Sequence, residues 1–225
     1  MKKTFIVVGA SRGIGDAVTS YFHKQGHKVY AVSRTPPRHG QWIQADISLS
    51  EGIKLIVDSV GEIPIDALLF MGGVWESNAF TEKFDFFQSP DAETRLVLSV
   101  NLIAPIEITK GLRRNLILSQ NPRAIYIGAL SGLDQLASPE VANTASKFGL
   151  RGAVQALRIA MKRDNIGFTV INPGNVATEE VLQDIEQGRF TAQVPIPLED
   201  VFSTIEWVLG LSTSVEVGDI NIMQK

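Results

Sequence analysis

Three glycines and two arginines early in the chain have the types and spacing to hold a phosphorylated ligand. The run Val8-Gly9-Ala10-Ser11-Arg12-Gly13-Ile14-Gly15 follows a short apolar stretch and leads at once into an amphipathic one. A strand–turn–helix passage of this kind presents free backbone N–H groups and the positive end of a helix dipole to a pyrophosphate. Gly9, Gly13 and Gly15 permit the tight turn and the close approach of phosphates to the backbone, with Ser11, Arg12 and Ile14 between them. The spacing differs from the GxGxxG dinucleotide fingerprint, so context must support it. Chains that bind NAD place an acid at the end of the second strand, about 20 residues on, to hold the ribose 2′-hydroxyl. Here that place holds Ser33 and Arg34. An arginine can pair with a 2′-phosphate through a forked, charge-assisted contact, and Arg12 can reach the same group. The expected cofactor is therefore NADP(H). Arg38 and His39, just beyond, read as plain loop residues.

These groups need strands and helices in strict alternation to position them, and the chain supplies that pattern throughout. Apolar, β-branched runs predict strands over residues 5–8, 28–32, 42–45, 67–70, 124–127, 167–171 and 220–223. Amphipathic stretches predict helices over 14–25, 52–60, 141–162 and 198–209. Ser89-Pro90-Asp91-Ala92-Glu93 reads as a further helix start, with a serine cap and acids in the first turn. That helix is expected to run to residue 118 and to bend near Pro105. Alternation of this kind implies an α/β fold, a doubly wound, Rossmann-type parallel sheet with helices on both faces. With 225 residues and no repeat or linker, one domain over residues 1–225 is expected.

Composition narrows the function classes. The hydrophobic fraction is 44% and the charged fraction 20%, ordinary for a globular chain. A formal net charge of −3 points to neither nucleic acid nor an anionic membrane as partner. The absence of cysteine removes disulfides, thiolate catalysis and Cys-ligated zinc, and no metal site is expected. It also suits a reducing compartment, and a cytoplasmic location is the expectation. Two lysines precede the first apolar run, but that run is too short for a signal peptide and reads as a buried strand. No stretch approaches the ~20 apolar residues that span a bilayer.

Taken together, these motifs resemble the short-chain dehydrogenase/reductase family over essentially the whole chain. The glycine spacing is the family's own. Ala45-Asp46-Ile47 resembles its adenine-contacting element. Leu69-Phe70-Met71-Gly72-Gly73 lies where the family has an Asn-Asn-Ala-Gly turn; only the last glycine is kept, which implies backbone contact without the asparagine bonds. Val100-Asn101-Leu102 resembles the family's helix asparagine, which holds a water beside the catalytic lysine. Asn172-Pro173-Gly174-Asn175-Val176-Ala177-Thr178 resembles the segment beside the nicotinamide, which implies roles for Pro173, Gly174 and Val176, with Thr178 a candidate amide contact. Residues 179–197 resemble the family's mobile substrate loop, with Gly188 a candidate hinge. The family commonly assembles through its two long helices, which implies a homodimer or homotetramer.

The resemblance fails at the catalytic centre. The family uses Tyr-x-x-x-Lys, the tyrosine protonating the carbonyl oxygen, and a serine at the end of the fifth strand. Here the helix reads Asn143-Thr144-Ala145-Ser146-Lys147, so Lys147 matches and Asn143 stands in the tyrosine place. Ala129 or Leu130 takes the serine place, and Ser131 is one step displaced. An amide can donate a hydrogen bond but has no transferable proton. Loss of general acid catalysis costs ~100- to 10,000-fold. Asn143 is expected to polarise an oxygen, and Lys147 to relay a proton through a water at Asn101. Three readings follow: an NADP(H)-dependent reductase of a small carbonyl-like substrate with altered proton delivery, an inactive NADP(H)-binding sensor or scaffold, and a purely structural oligomer. Matching Lys147 and Asn101 favour the first. Among other residues, His23 and His27 read as solvated, Tyr126 as core, and Ser138 as a helix cap; Asp134 and Glu140 lie within possible reach of the pocket. Phe80, Phe84, Phe86 and Phe87 read as packing for an insertion, or as a lid.

Overall fold

The computed structural model describes residues 2–190 and 193–225. Seven short strands form one sheet: β1 (Thr4–Val8), β2 (Lys28–Ser33), β3 (Gln41–Gln44), β4 (Ala67–Phe70), β5 (Arg123–Ile127), β6 (Gly167–Pro173) and β7 (Asp219–Ile222). Their order is β3-β2-β1-β4-β5-β6-β7, and every pairing is parallel. Parallel strands must be covered on both faces, which explains why β1, β4 and β5 are apolar along nearly their whole length. Alternation divides that coverage. Ile6 and Val8 join the core under α2 (Ser50–Val60), α4 (Ala104–Gly111) and α6 (Val141–Ala160). Phe5 and Val7 face α1 (Gly13–Lys24) and α8 (Leu198–Gly210). This is the doubly wound, Rossmann-type architecture expected from the alternation. The order reverses between β1 and β4, which opens a crevice at the carboxyl ends of those strands.

Several local expectations are corrected. The single helix expected over residues 89–118 is divided into α3 (Asp91–Leu98), a π turn (Ser99–Ile103), α4 and the short α5 (Arg113–Leu116). Pro105 has no N–H to give the Asn101 carbonyl, so the ladder loosens just upstream of it. Ser89 does not cap α3. Pro90 stands at the cap, and the Ser89 hydroxyl donates to the Asp85 carbonyl instead. Ser138 does not cap α6 either; its hydroxyl pairs with Thr144 Oγ1 at 3.2 Å. The α6 N-terminus is capped from afar by the buried Glu76, whose Oε1 accepts from the N–H groups of Ala142 (2.8 Å) and Asn143 (3.2 Å). His27 is not simply solvated. Its Nδ1 accepts the Lys3 N–H at 3.1 Å, its ring packs on Phe5, and burial lowers its basicity. Tyr126 is a core residue as expected, paired with Thr109 Oγ1 at 2.6 Å, and burial raises its phenol. The substrate-loop segment contains a helix that its sequence did not announce, α7 (Glu179–Glu186); residues 191 and 192 of that segment lie outside the described residues.

Candidate active site

The glycine turn closes by backbone packing that side chains would forbid. Gly9 adopts φ 86°, and a Cβ on it would lie 2.3 Å from Gly72 Cα. A Cβ on Gly15 would lie 2.0 Å from the Gly9 carbonyl oxygen. Gly13, at φ 56°, differs: the nearest atom to its missing Cβ is Glu180 Oε2 at 3.8 Å. The turn is therefore closed at Gly9 and Gly15 and open at Gly13, on the side where a phosphate approaches a helix N-terminus. Gly15 and Asn101 do not themselves face the crevice, whereas the other expected cofactor and catalytic residues line one cavity of about 520 Å³.

At the adenosine end, Ser33, Arg34, Asp46 and Ile47 line the cavity with Arg12. The Ser33 hydroxyl is committed to the Thr35 carbonyl at 2.7 Å. Asp46 accepts from the hydroxyl and N–H of Ser48 at 2.7 and 2.9 Å. The Ser48 hydroxyl does most to hold the Asp46 carboxyl below its ordinary range; burial opposes it, while the Ser48 N–H and the Arg34 charge assist. Arg38 is no plain loop residue. Its guanidinium bridges Asp16 on α1 (3.5 Å) and Glu179 on α7 (2.8 Å), so it ties the loop after β2 to the helix over the turn. His39 pairs with the Ser20 hydroxyl at 2.9 Å. Neither partnership is visible in the sequence, because both span long separations.

At the other end, β5 and α6 bring Ser131, Asn143 and Lys147 together. Asn143, 2% exposed, donates from Nδ2 to Ser131 Oγ at 3.4 Å. Lys147, one turn further along the same helical face, donates from Nζ to the Ile127 carbonyl at 3.1 Å. Gly132 backs directly on Lys147, its missing Cβ 2.9 Å from the lysine Cβ. Burial alone brings the Lys147 ammonium down to about 8. The Asn101 side chain does not present itself to the cavity. Its Oδ1 accepts the Val74 N–H (2.9 Å), and its Nδ2 donates to the Val74 carbonyl (2.7 Å) and Ser146 Oγ (3.1 Å). It clamps the turn after β4, which holds Gly72 and Gly73 in place.

The wall opposite β1 comes from the segment after β6. Pro173, Gly174 and Val176 line the cavity, and Val176 bridges to Ile196. Thr178 caps α7, its Oγ1 accepting the Val181 N–H at 3.4 Å. Three lining amides were not singled out from the sequence: Gln193 Oε1 accepts from Asn175 Nδ2 (3.0 Å) and Gln224 Nε2 (2.7 Å), and Gln224 fills the space above Gly174. Trp75 and Phe80 line the outer rim, ring centroids 6.0 Å apart. Phe80 holds φ 64°, unusual for a bulky residue, while its N–H donates to the buried Glu140 carboxylate at 2.7 Å. Glu140 thus acts on the rim through the backbone.

The cradle fits a dinucleotide. The Gly13 side of the turn is open enough for a pyrophosphate, and Arg12, Arg34 and Lys147 line the same cavity. Comparison with known proteins agrees. Residues 3–188 match the family model described as short chain dehydrogenase. A short-chain dehydrogenase/reductase of Penicillium canescens, olcF, is 26% identical over 92% of this chain and 79% of its own length. Carbonyl reductase family member 4 of Xenopus tropicalis is 27% identical over 87% of this chain and 84% of its own length. Among solved structures, 4-hydroxyisoleucine dehydrogenase complexed with NADH superposes with a TM-score of 0.80 at 24% identity, covering 99% of this chain and 97% of that one. BdcA in complex with NADPH superposes equally well, with a TM-score of 0.80 at 19% identity over 98% and 93% of the two chains. The chain belongs to the short-chain dehydrogenase family of oxidoreductases.

Proposed function

We propose that this protein is an NADP(H)-dependent oxidoreductase that reduces a small carbonyl-like substrate without the family's usual serine and tyrosine pair. The observation that carries the reading is the union, in one cavity, of an open glycine turn flanked by Arg12 and Arg34 with Lys147 one turn after Asn143. The bound nicotinamide supplies the hydride. The chain supplies the rest. Backbone N–H groups at Gly13 and Ile14 face the phosphates, Arg12 and Arg34 take the 2′-phosphate, and Lys147 takes ribose oxygen. Asn143 and Ser131 offer hydrogen bonds to the carbonyl oxygen, while Trp75, Phe80 and α7 keep water from the reacting centre.

Calorimetric titration with NADPH and then NADH tests the cofactor assignment. NADPH should bind more tightly, and Arg34→Ala should weaken NADPH roughly 10- to 100-fold while leaving NADH nearly unchanged. An unaltered preference in Arg34→Ala moves the phosphate site elsewhere. Binding without turnover across a broad carbonyl screen would favour a sensor or scaffold, the role that Asn143 makes the competing one.

The same reading includes a homodimer or homotetramer. Val141, Phe148 and Ile159 are all exposed and lie along one stripe of α6. A second copy of this chain would cover such a stripe with a self-complementary contact. Phe148→Arg should convert the assembly to monomers in sedimentation experiments; an unchanged mass removes α6 from the interface. No helix among the described residues is long and apolar enough to cross a membrane. The cytoplasmic location expected from the cysteine-free composition stays part of this reading, to be tested by cell fractionation.

A further inference from the structure

The missing tyrosine leaves the carbonyl oxygen in need of a proton, and the inventory of the cavity is short. The chain has three tyrosines and three histidines, and none lines the cavity. Tyr126 is sealed against Thr109, Tyr21 stacks on Phe202, and Tyr30 lies in the core. His23, His27 and His39 gather around α1 and the loop after β2. Of the lining acids, Asp46 belongs to the adenosine end and Asp184 is paired with Arg189. Glu180 sits over Gly13, at the phosphate turn. The hydroxyl of Ser131 and the amide of Asn143 do not release a proton at ordinary pH.

We infer that Lys147 itself delivers the proton to the substrate oxygen, with Asn143 and Ser131 holding that oxygen in place. This rests on the oxidoreductase reading above and adds the identity of the acid. The ammonium has three donors, and one is fixed by the Ile127 carbonyl. Gly73 leaves it room: the missing Cβ of that glycine lies 3.5 Å from Nζ. Gly132, lacking a Cβ, lets the loop after β5 lie directly against the backbone and Cβ of Lys147. Of the other two N–H bonds, one takes ribose oxygen in the reading above and the other is left for the cavity, on the same helical face as Asn143. In the reduction, hydride from the nicotinamide forms the new C–H bond and the carbonyl π pair moves to oxygen. That oxygen takes a proton from Nζ, leaving a neutral amine. The amine regains a proton from solvent, so the sum is carbonyl, NADPH and one proton giving alcohol and NADP⁺.

The surroundings suit the task. The elements touching Lys147 contribute neutral groups: Asn101 and Ser146 nearby, Ile127 at the strand end, Gly73 after β4, and Ser131 and Gly132 in the loop after β5. The charged groups of the neighbourhood lie further off: Glu76 and Glu140 at the α6 N-terminus, Arg151 one turn on and bound to the Gly132 carbonyl, and Glu180 and Asp184 on α7. Burial is the single cause that lowers this ammonium to about 8, which places its proton within reach of neutral-pH chemistry.

Two measurements test the assignment. Lysine-selective ¹⁵N NMR of the protein without cofactor should show one ammonium titrating near pH 8, absent from Lys147→Arg. Carbonyl reduction should then fall above that midpoint and alcohol oxidation should rise toward it, since the first needs the charged form and the second the neutral one. Lys147→Arg keeps the charge but cannot give up a proton. Measured at saturating NADPH, its rate of reduction should fall ~100-fold or more. Reduction that survives in Lys147→Arg with the same pH profile overturns the assignment and leaves the oxidoreductase reading standing. So does a Lys147 signal that titrates in the ordinary lysine range. A parent protein that binds NADPH and reduces nothing overturns both.

Discussion

Lys147→Met should give a protein that melts a few degrees higher at neutral pH and no longer reduces any carbonyl. Lys147 is 7% exposed, and its ammonium is lowered to about 8 by burial alone. Each unit of such a shift is worth about 1.4 kcal/mol, so at pH 7 the charged lysine costs the folded state about 3 kcal/mol. Methionine of similar length removes that cost but gives up a charge-assisted bond to the Ile127 carbonyl, worth about 2 kcal/mol. The net gain of about 1 kcal/mol corresponds to roughly 2–4 °C for a domain of this size. The sign has a pH signature. The unfolded lysine holds its proton longer than the folded one, so the folded parent gains stability as pH rises from about 8 into the ordinary lysine range. The advantage of Lys147→Met should therefore shrink between pH 7 and pH 10 in thermal scans. A constant difference across that window would show that burial does not strain this group. The trade of stability for a poised proton is what a catalytic position is expected to display.

Gly15→Ala should destabilise the protein by about 3 kcal/mol or more and weaken NADPH binding by over tenfold. In an ordinary helix interior the same change stabilises by about 1 kcal/mol. Gly15 lies within α1, so propensity alone predicts a gain. The added Cβ would instead sit 2.0 Å from the Gly9 carbonyl oxygen. That oxygen belongs to backbone already anchored by the Gly9 N–H bond to the Val32 carbonyl at 2.9 Å and packed against Gly72, so it cannot step aside cheaply. Relief must come from displacing the start of α1, which moves the N–H groups proposed to take the phosphates. Urea unfolding and calorimetry would read the two effects. A stabilised Gly15→Ala that binds NADPH normally would contradict the packed-turn account.

The contrast between what could and could not be read in advance is sharpest around that turn. Its position, its glycines and its following helix were all legible, because strand, turn and helix are local and only glycine fits where backbone meets backbone. The partner that makes Gly9 obligatory, Gly72, lies across the sheet, and only the pairing of β1 with β4 brings it there. Ser89 shows the opposite failure. The local signal for a cap was present, but the preceding turn claimed the hydroxyl for Asp85, and Pro90 took the cap position.

The catalytic centre divides in the same way. The placement of Lys147 and Asn143 one turn apart follows from helix periodicity, and the absence of a phenol is a matter of residue identity. What those residues face is not. Asn101 was expected beside a water and is instead spent on Val74 and Ser146, because the π turn before Pro105 carries it under the turn after β4. Glu76 caps the catalytic helix from a loop far away in sequence, Arg38 reaches across to α7, and Gln224 arrives from the C-terminal tail.

By itself, the sequence determined the alternation of strands and helices, the phosphate turn, the arginine where an acid would select NAD, and the loss of the tyrosine. Each of these depends on residue type and on spacing within one element. The tertiary structure alone decided which groups are desolvated and which are already hydrogen-bonded. A proton's availability depends on that environment, and the buried setting of Lys147 brings together α6, the end of β5, the loop after it and the turn after β4, which meet only when the chain has folded.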